Sequence, residues 1–380
     1  MKHPKMIRGC RASDLIEVLI RIEKALGVET EEARRFVKLG SWFIESSYFF
    51  RLLGLGLLNR TQTPVPHFCL QSRRKRFSKV LRSWSIFEGI TAPISANAIC
   101  VGNNLRTFYL NLPEPFSAKI SKVSSKGLGN LRSDAEARER VLGHGVMNVP
   151  RILRCGVTDG HAYLTEEIIY GRHPHPKNDR DVLIRLLNGP YWETYEKEGF
   201  HFHPISHEID QGDSRKWLEQ ACSACDWKPA WLPRDVLVSK AMTLLQGGGL
   251  LIFSMGHGDF KFHNVLLTDD GVPYLIDWEH SREMPVMNDL LKPVMDIPDA
   301  FDVLEKRMAA LPLMHEGAPV LSFREQLLVA VFQAIMTRVH PGIPTELSAG
   351  GDRHVSRLFD FANQVFSMSD ESTDPALSNR

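Results

Sequence analysis

The sequence predicts an α+β fold in two lobes, a small and mostly β lobe followed by a larger and mostly α one. Three observations predict it. The chain has 380 residues, enough for two lobes with real cores. From about residue 90 the apolar pattern changes from helical spacing to short runs of strand-favouring residues, in the order strand-strand-strand-helix-strand-strand. Beyond residue 171 the long periodic segments are again helical, broken by one hydrophobic run and one hairpin.

Composition narrows the class. The chain is 43% apolar and 24% charged, with a formal net charge of +1, so nothing overall demands nucleic acid or an anionic membrane as partner. Six cysteines in so long a chain exclude a disulfide scaffold, and reduced thiols in the cytoplasm are expected. The basic start lacks the continuous apolar core and small-residue cleavage site of a signal peptide. The greasiest stretch, SYFFRLLGLGLLN, is too short to span a bilayer and contains Arg51.

Taken in order, residues 12–27 and 31–58 carry apolar residues at helical spacing, with Thr30 as a cap and Glu31 and Glu32 in the first turn of the second run. A helical N-terminal extension over 1–89 is therefore expected. Its end, TQTPVPHF followed by SRRKRFSKVLRSW, holds six basic residues between Arg73 and Arg82. A solvated helical face explains them, and so does contact with an anionic or membrane-associated glycan at the 73–82 stretch.

The first lobe is expected over 90–167. ANAICVG, RTFYLNL and FSAKISK are strands, and the GNN turn at 102–104 separates the first two. SDAEARERVLGHG is a helix, with Ser133 as its cap and Glu136 completing a capping box. RILRCGVTDGHAYLTEEII is a pair of strands around TDG. The second lobe is expected over 168–367, with loops and helices to residue 246, the run GGGLLIFSM, the hairpin VLLTDDGVPYLI and helices at 300–311, 323–338 and 353–367. A frayed tail occupies 368–380.

The polar cluster HGDFKFHN, residues 257–264, follows the hydrophobic run, and YLIDWE closes the hairpin behind it. Asp259 and Asn264 lie five apart, and Asp277 follows thirteen later. An Asp at a strand end is often only a turn or cap residue. The three together have the make-up of a phosphoryl-transfer site: one carboxylate to take the acceptor's proton, an Asn and a second Asp to hold Mg²⁺ against nucleotide phosphates. The hairpin offers a way to return Asp277 to the neighbourhood of Asn264.

In these residues the chain resembles the aminoglycoside phosphotransferase and choline kinase superfamily, which shares the protein-kinase-like fold. His257-Gly258-Asp259 with Asn264, and Ile276-Asp277-Trp278-Glu279, match its two motifs in order and separation. The resemblance covers residues 90 to about 345. It implies Asp259 as catalytic base, Asn264 and Asp277 as metal ligands, His257 as a brace and Asp289 as the residue that pins the loop. Lys261, two residues after the Asp, is a feature of protein kinases that many small-molecule kinases lack, and it is placed to neutralise the transferred phosphoryl group. Lys119 in FSAKISK is the expected cation for the nucleotide phosphates, with Glu136 preferred over Glu139 as its partner. Asn103, Asn104 or Arg106 at the turn, and Glu166, Glu167 and Ile168 in the linker TEEIIYG, are the expected nucleotide contacts.

The expected activity is ATP- and Mg²⁺-dependent transfer of the γ-phosphoryl group to a hydroxyl of a small molecule: a sugar, glycan, amino alcohol or aminoglycoside-like acceptor. A nucleotide-binding pseudokinase, a kinase acting on protein and an enzyme transferring AMP are the alternatives. No nucleic acid partner is expected. The expected location is the cytoplasm, with peripheral attachment to a membrane left open by the basic stretch. Cys222 and Cys225 form a single CxxC, with His201, His203 and His207 upstream. The spacing matches no standard zinc site, so packing cysteines are expected.

Overall fold

The computed structural model describes residues 12–28, 33–39, 42–45, 89–101, 105–110, 112–123, 125–209, 211–225, 227–339 and 349–371. The chain combines α and β structure in two parts, one rich in strands and the other rich in helices. Its described residues form two compact units. One holds the chain up to Val182 together with Lys261–Ser281; the other holds Leu183–Phe260 and the chain from Arg282 onward.

The first unit is an antiparallel sheet of eight strands: β1 (Arg34–Leu39), β2 (Trp42–Glu45), β3 (Gly89–Ala92), β4 (Ala98–Val101), β5 (Leu105–Tyr109), β6 (Phe116–Lys122), β7 (Ile152–Thr158) and β8 (His161–Glu167). Their spatial order is β3-β1-β2-β4-β5-β6-β8-β7. Helix α1 (Ala12–Leu26) lays Leu19, Ile22 and Leu26 against Phe36, Ile99, Leu105 and Ile120. The spacing of those three leucine and isoleucine residues is that of one helical face. The β7–β8 hairpin turns through Asp159 and Gly160, both with positive φ, as the TDG sequence requires.

Two expectations are corrected here. Residues 34–39 and 42–45, expected to be helical, are strands of the main sheet. Phe36, Val37, Trp42, Phe43 and Ile44 are aromatic or β-branched and suit a pleated surface, and tertiary packing of Phe36 and Ile44 overrides the helical spacing. Residues 46–58, the basic stretch 73–82 and the GNN turn lie outside the described residues. The second correction concerns α2, which spans Ser125–His144 rather than starting at Ser133. Ser133 therefore sits inside the helix, where its Oγ donates to the Ser281 carbonyl (3.0 Å), and Glu136 closes no capping box.

The hairpin of β11 (Val265–Leu267) and β12 (Pro273–Leu275) also belongs to the first unit. The Leu275 amide donates to the Asn148 carbonyl, and Arg172 and Leu267 exchange backbone hydrogen bonds (2.8 and 2.7 Å).

The second unit is built on a three-stranded sheet in which β10 (Leu250–Gly256) lies between β9 (His201–Pro204) and β13 (Arg282–Pro285). Being central, β10 is buried along nearly all its length, hence the uninterrupted LLIF run. The same unit holds α3 (Arg180–Leu186) from Leu183 onward, α4 (Trp192–Glu198), α5 (Gln211–Ser223), α6 (Arg234–Leu245), α7 (Val286–Asp296), α8 (Ala300–Ala309), α9 (Phe323–Val339) and α10 (Ala349–Glu371). The last runs beyond residue 367, into the expected tail. Cys222 and Cys225 are buried and in no disulfide, and burial pushes the Cys222 thiol up to about 11. No helix among the described residues is long and apolar enough to cross a membrane.

Candidate active site

The HGD segment leaves β10 in the second unit. Gly258 has φ +81°, a conformation that disfavours any side chain. His257 is fully buried, and its Nδ1 accepts the Asp259 amide (3.3 Å). The segment is held by Asp289 of α7. Its Oδ2 accepts the His257 amide (2.7 Å) and the hydroxyls of Tyr191 (2.5 Å) and Tyr195 (3.0 Å); its Oδ1 accepts the amides of Gly258 (3.0 Å) and Phe260 (3.4 Å). Phe260 stacks on Tyr191 with ring centroids 4.2 Å apart. A buried carboxylate thus serves three amides of the loop and two phenols, and the pinning role expected of Asp289 has its geometry. Asp259 itself stands at a partly exposed position between these fixed points.

Lys261, Asn264 and Asp277 belong to the first unit. Lys261 is extended and opens a short 3-10 turn, Phe262–Asn264. Asn264 is buried, its amide donates to the Lys261 carbonyl (2.8 Å), and its carbonyl accepts the Ile276 amide (2.9 Å). That last bond extends the β11–β12 pairing, whose register sets Val265 opposite Leu275. The hairpin therefore closes with Asp277 one residue past the partner of Asn264. His263 is exposed, its ring 6.2 Å from that of His173.

Asp277 has φ +73°, unusual for a residue with a Cβ, and such strain persists where surrounding contacts fix it. Here the contacts are cations. Its Oδ1 accepts Lys119 Nζ (2.9 Å) and Arg106 Nη2 (2.8 Å). Lys119 and Arg106 face each other directly across β6 and β5. Like charges in facing positions repel, so this pair stands only with anions beside it. Asp277 is one. Asp134 is the second: its Oδ2 accepts Lys119 Nζ (2.6 Å), and its Oδ1 lies 2.8 Å from Arg138 Nε. Glu166 is the third, accepting Arg138 Nη1 (2.7 Å) and the Ser117 hydroxyl (3.0 Å). Three cations and three carboxylates balance in a network that is buried except at Arg106 and Asp277.

The electrostatics follow. Burial works against charging Lys119, but Asp134, then Asp277 and Glu166, outweigh it and raise the amine. Burial likewise opposes ionisation of Glu166, yet Lys119, Arg138 and Arg106 hold it down to about 2. Asp277 is pulled well below the usual carboxylate range by Lys119 and Arg106, again against burial. It is a carboxylate at any ordinary pH.

The structure thus corrects the partner of Lys119. Glu136 is exposed and pairs with Arg132 one turn back (2.7 Å); Asp134 takes the buried place. The sequence carries a signal for this. Leu131, Asp134, Arg138 and Val141 fall on one helical face and all four are buried, whereas Glu136 lies off it. Glu167 ends β8 with its amide donating to the Arg151 carbonyl (3.1 Å) and its carboxylate paired with the Arg151 side chain, and Ile168 follows it, half-buried. Asn103 and Asn104 lie outside the described residues. Asn264 and Asp277 offer an amide oxygen and a carboxylate, a hard donor set that fits Mg²⁺.

A family model described as phosphotransferase enzyme family matches residues 101–319, more than half the chain. The chain belongs to this family. The matched region takes in Arg106, Lys119, Asp134, the HGD segment, Asn264 and Asp277. No curated protein sequence matches the chain. Among solved structures it is similar to a thermostable mutant of aminoglycoside phosphotransferase APH(4)-Ia in its apo form, at 13% identity over 68% of this chain and 91% of that one, TM-score 0.41. It is similar to the microcompartment-associated aminopropanol kinase, at 12% over 71% and 91%, TM-score 0.46. Choline kinase LicA from Streptococcus pneumoniae matches at 13% over 76% and 98%, TM-score 0.39. Membership of the family is consistent with ATP-dependent phosphoryl transfer and with the use of a nucleotide and a metal ion.

Proposed function

We propose that the protein moves the γ-phosphoryl group of ATP to a hydroxyl of a small molecule, with Mg²⁺. The observation that carries the reading is Asp277, tied to Lys119 on one side and set beside Asn264 by the hairpin on the other. A metal-binding carboxylate joined to a buried strand lysine is what nucleotide phosphates require.

In the reaction, the acceptor oxygen bonds to the γ-phosphorus as the bond from phosphorus to the β–γ bridging oxygen breaks. ADP leaves, and the hydroxyl proton passes to Asp259. Mg²⁺, when bound, neutralises charge on the nucleotide phosphates. Asn264 and Asp277 are the residues to hold it, through the amide oxygen and the carboxylate. Lys119 pairs with the non-reacting phosphates, and Lys261 offsets charge on the group in transfer. Asp259 orients the hydroxyl and accepts its proton, so most of the acceleration is positioning and electrostatics. Cytoplasmic action, and contact of residues 73–82 with an anionic or membrane-associated glycan, complete the proposal.

The test compares ADP release by wild type and Asp259→Asn across sugars, amino alcohols and aminoglycosides, with nucleotide affinity measured alongside. The expected outcome is turnover lowered by about 10²–10⁴-fold at nearly unchanged nucleotide affinity. Equal turnover in the two proteins would refute the role of Asp259.

A further inference from the structure

A second polar cluster, unused by this mechanism, lies on the three-stranded sheet of the second unit. β9 reads His201-Phe202-His203-Pro204. Alternation along a strand puts His201 and His203 on one face and Phe202 on the other. Phe202 indeed stacks elsewhere, on His315 (4.4 Å). Across the central strand, His201 pairs with Phe253 and His203 with Leu251. On its far side Met255 pairs with Glu283. Facing partners share a face, so Glu283 rises on the same side as both imidazoles.

The three side chains meet there. Glu283 Oε1 is 2.5 Å from His201 Nδ1 and 3.9 Å from His203 Nε2. One potential ligand atom from each residue lies within 4.8 Å of the others. Ligand atoms around a tetrahedral ion with bonds of about 2.0–2.2 Å stand roughly 3.4 Å apart. The observed spacings fall on both sides of that value, so small rotations of two exposed side chains suffice. The half-buried His203 is already fixed. Its ring stands edge-on to the buried Phe253 (4.9 Å) and stacks on His207 (4.6 Å, 17° between planes).

We propose that His201, His203 and Glu283 bind a divalent transition-metal ion of the Zn²⁺ class, distinct in chemistry from the Mg²⁺ of the phosphoryl-transfer reaction. Two imidazole nitrogens and one carboxylate oxygen suit Zn²⁺ or Co²⁺, whereas Mg²⁺ favours oxygen donors alone. Three protein ligands leave a position for water. The ion would fasten β9 to β13 across β10, the strand that feeds His257 and Asp259. Its effect is to stiffen the sheet under the HGD segment. The cysteines of the CxxC take no part: among the described residues, this is the one group of three metal-binding side chains so placed.

The experiment titrates the full-length, metal-stripped protein with Co²⁺ and Zn²⁺. Visible absorption reports Co²⁺, and a chromophoric chelator reports Zn²⁺ by competition. Wild type is expected to bind one equivalent of either ion, with Mg²⁺ failing to displace it, and to melt at a higher temperature with Zn²⁺ present. His201→Ala and Glu283→Gln should each weaken that equivalent by about 10-fold or more, since even outer-shell changes cost this much. Cys222→Ser with Cys225→Ser should leave it intact. His201 and Glu283 are exposed, and far-UV circular dichroism of the metal-free variants checks that they fold as wild type. An equivalent that survives in the double variant His201→Ala/Glu283→Gln, or no bound equivalent in wild type, would overturn the proposal. Because the readout is metal binding and melting, it stands or falls independently of phosphoryl transfer.

Discussion

Asp289 is the point at which the HGD segment is most exposed to a single change. In Asp289→Ala, the amides of His257, Gly258 and Phe260 lose their acceptor, and so do two buried phenols. A buried donor left unpaired costs about 1–3 kcal/mol. The phenols can rotate and offset their share by bonding to each other, as the 5.2 Å between the Tyr191 and Tyr195 ring centroids allows. Water entering the vacated space recovers part of the rest. The three amides then set the balance, giving a loss of about 3–5 kcal/mol. That is a large fraction of the roughly 5–15 kcal/mol that holds a typical domain together. Asp289→Asn keeps one oxygen and turns an N–H group toward donors at the other, so about 2 kcal/mol is expected. Urea unfolding of the full chain, followed by tryptophan fluorescence, measures both. Hydrogen exchange at residues 257–260 should quicken in both variants before global unfolding. A cost below about 1 kcal/mol for Asp289→Ala, with exchange unchanged, would refute the clamp.

Gly256→Ala tests the same contact by crowding. A Cβ there would stand 2.7 Å from Asp289 Oδ2 and 3.1 Å from the Met284 side chain, so a loss of about 1–3 kcal/mol in urea unfolding is expected, and a neutral substitution would show the backbone yields. The carboxylates give opposite pH signatures. Glu166 is held at about 2 in the fold against an ordinary 4.5, so its contribution is present above pH 4.5 and is lost as pH falls from there toward 2, about 3 kcal/mol in all; Glu166→Gln should make the acid limb shallower, with the remaining slope below pH 3.8 set by Asp277. Glu23 is raised to about 7, by burial first, although it accepts the Ser95 and Ala96 amides. Its contribution is complete below pH 4.5 and is lost as pH rises through 7, about 3 kcal/mol. In Glu23→Gln the decline of stability between pH 4.5 and 7 should disappear, as urea midpoints at pH 5 and 8 would show; an unchanged decline would place its cause elsewhere.

Much of the site was legible because its residues are fixed by local sequence. Gly258 beside Asp259 signals a turn that only glycine adopts easily, and DDG between two short apolar runs signals the hairpin that returns Asp277 to Asn264. The LLIF run before the motif reads as a strand buried on both faces, and β10 is central in its sheet. Two strands near the N-terminus were not legible. In residues 34–45 the helical spacing and the strand propensities compete, and the sheet decides by burying Phe36 and Ile44.

The partner of Lys119 shows where reading along the chain fails and what would correct it. Glu136 satisfied two local patterns at once, a capping box and a suitable separation from the lysine. The first depended on the helix starting at Ser133. Once the helix begins at Ser125, capping no longer constrains Glu136, and burial becomes the only question. The buried face runs through Leu131, Asp134, Arg138 and Val141. Two charged residues on an otherwise apolar face are costly unless each meets an opposite charge there. Asp134 and Arg138, one turn apart, satisfy part of that need between themselves. The remaining lone pairs of Asp134 require a further cation, and Lys119, buried on the neighbouring strand, requires an anion. Each removes the other's desolvation problem, and Asp277 enters the same network from the hairpin. A charged pair on the apolar stripe of a helix is therefore a better guide to a buried lysine's partner than distance along the sequence.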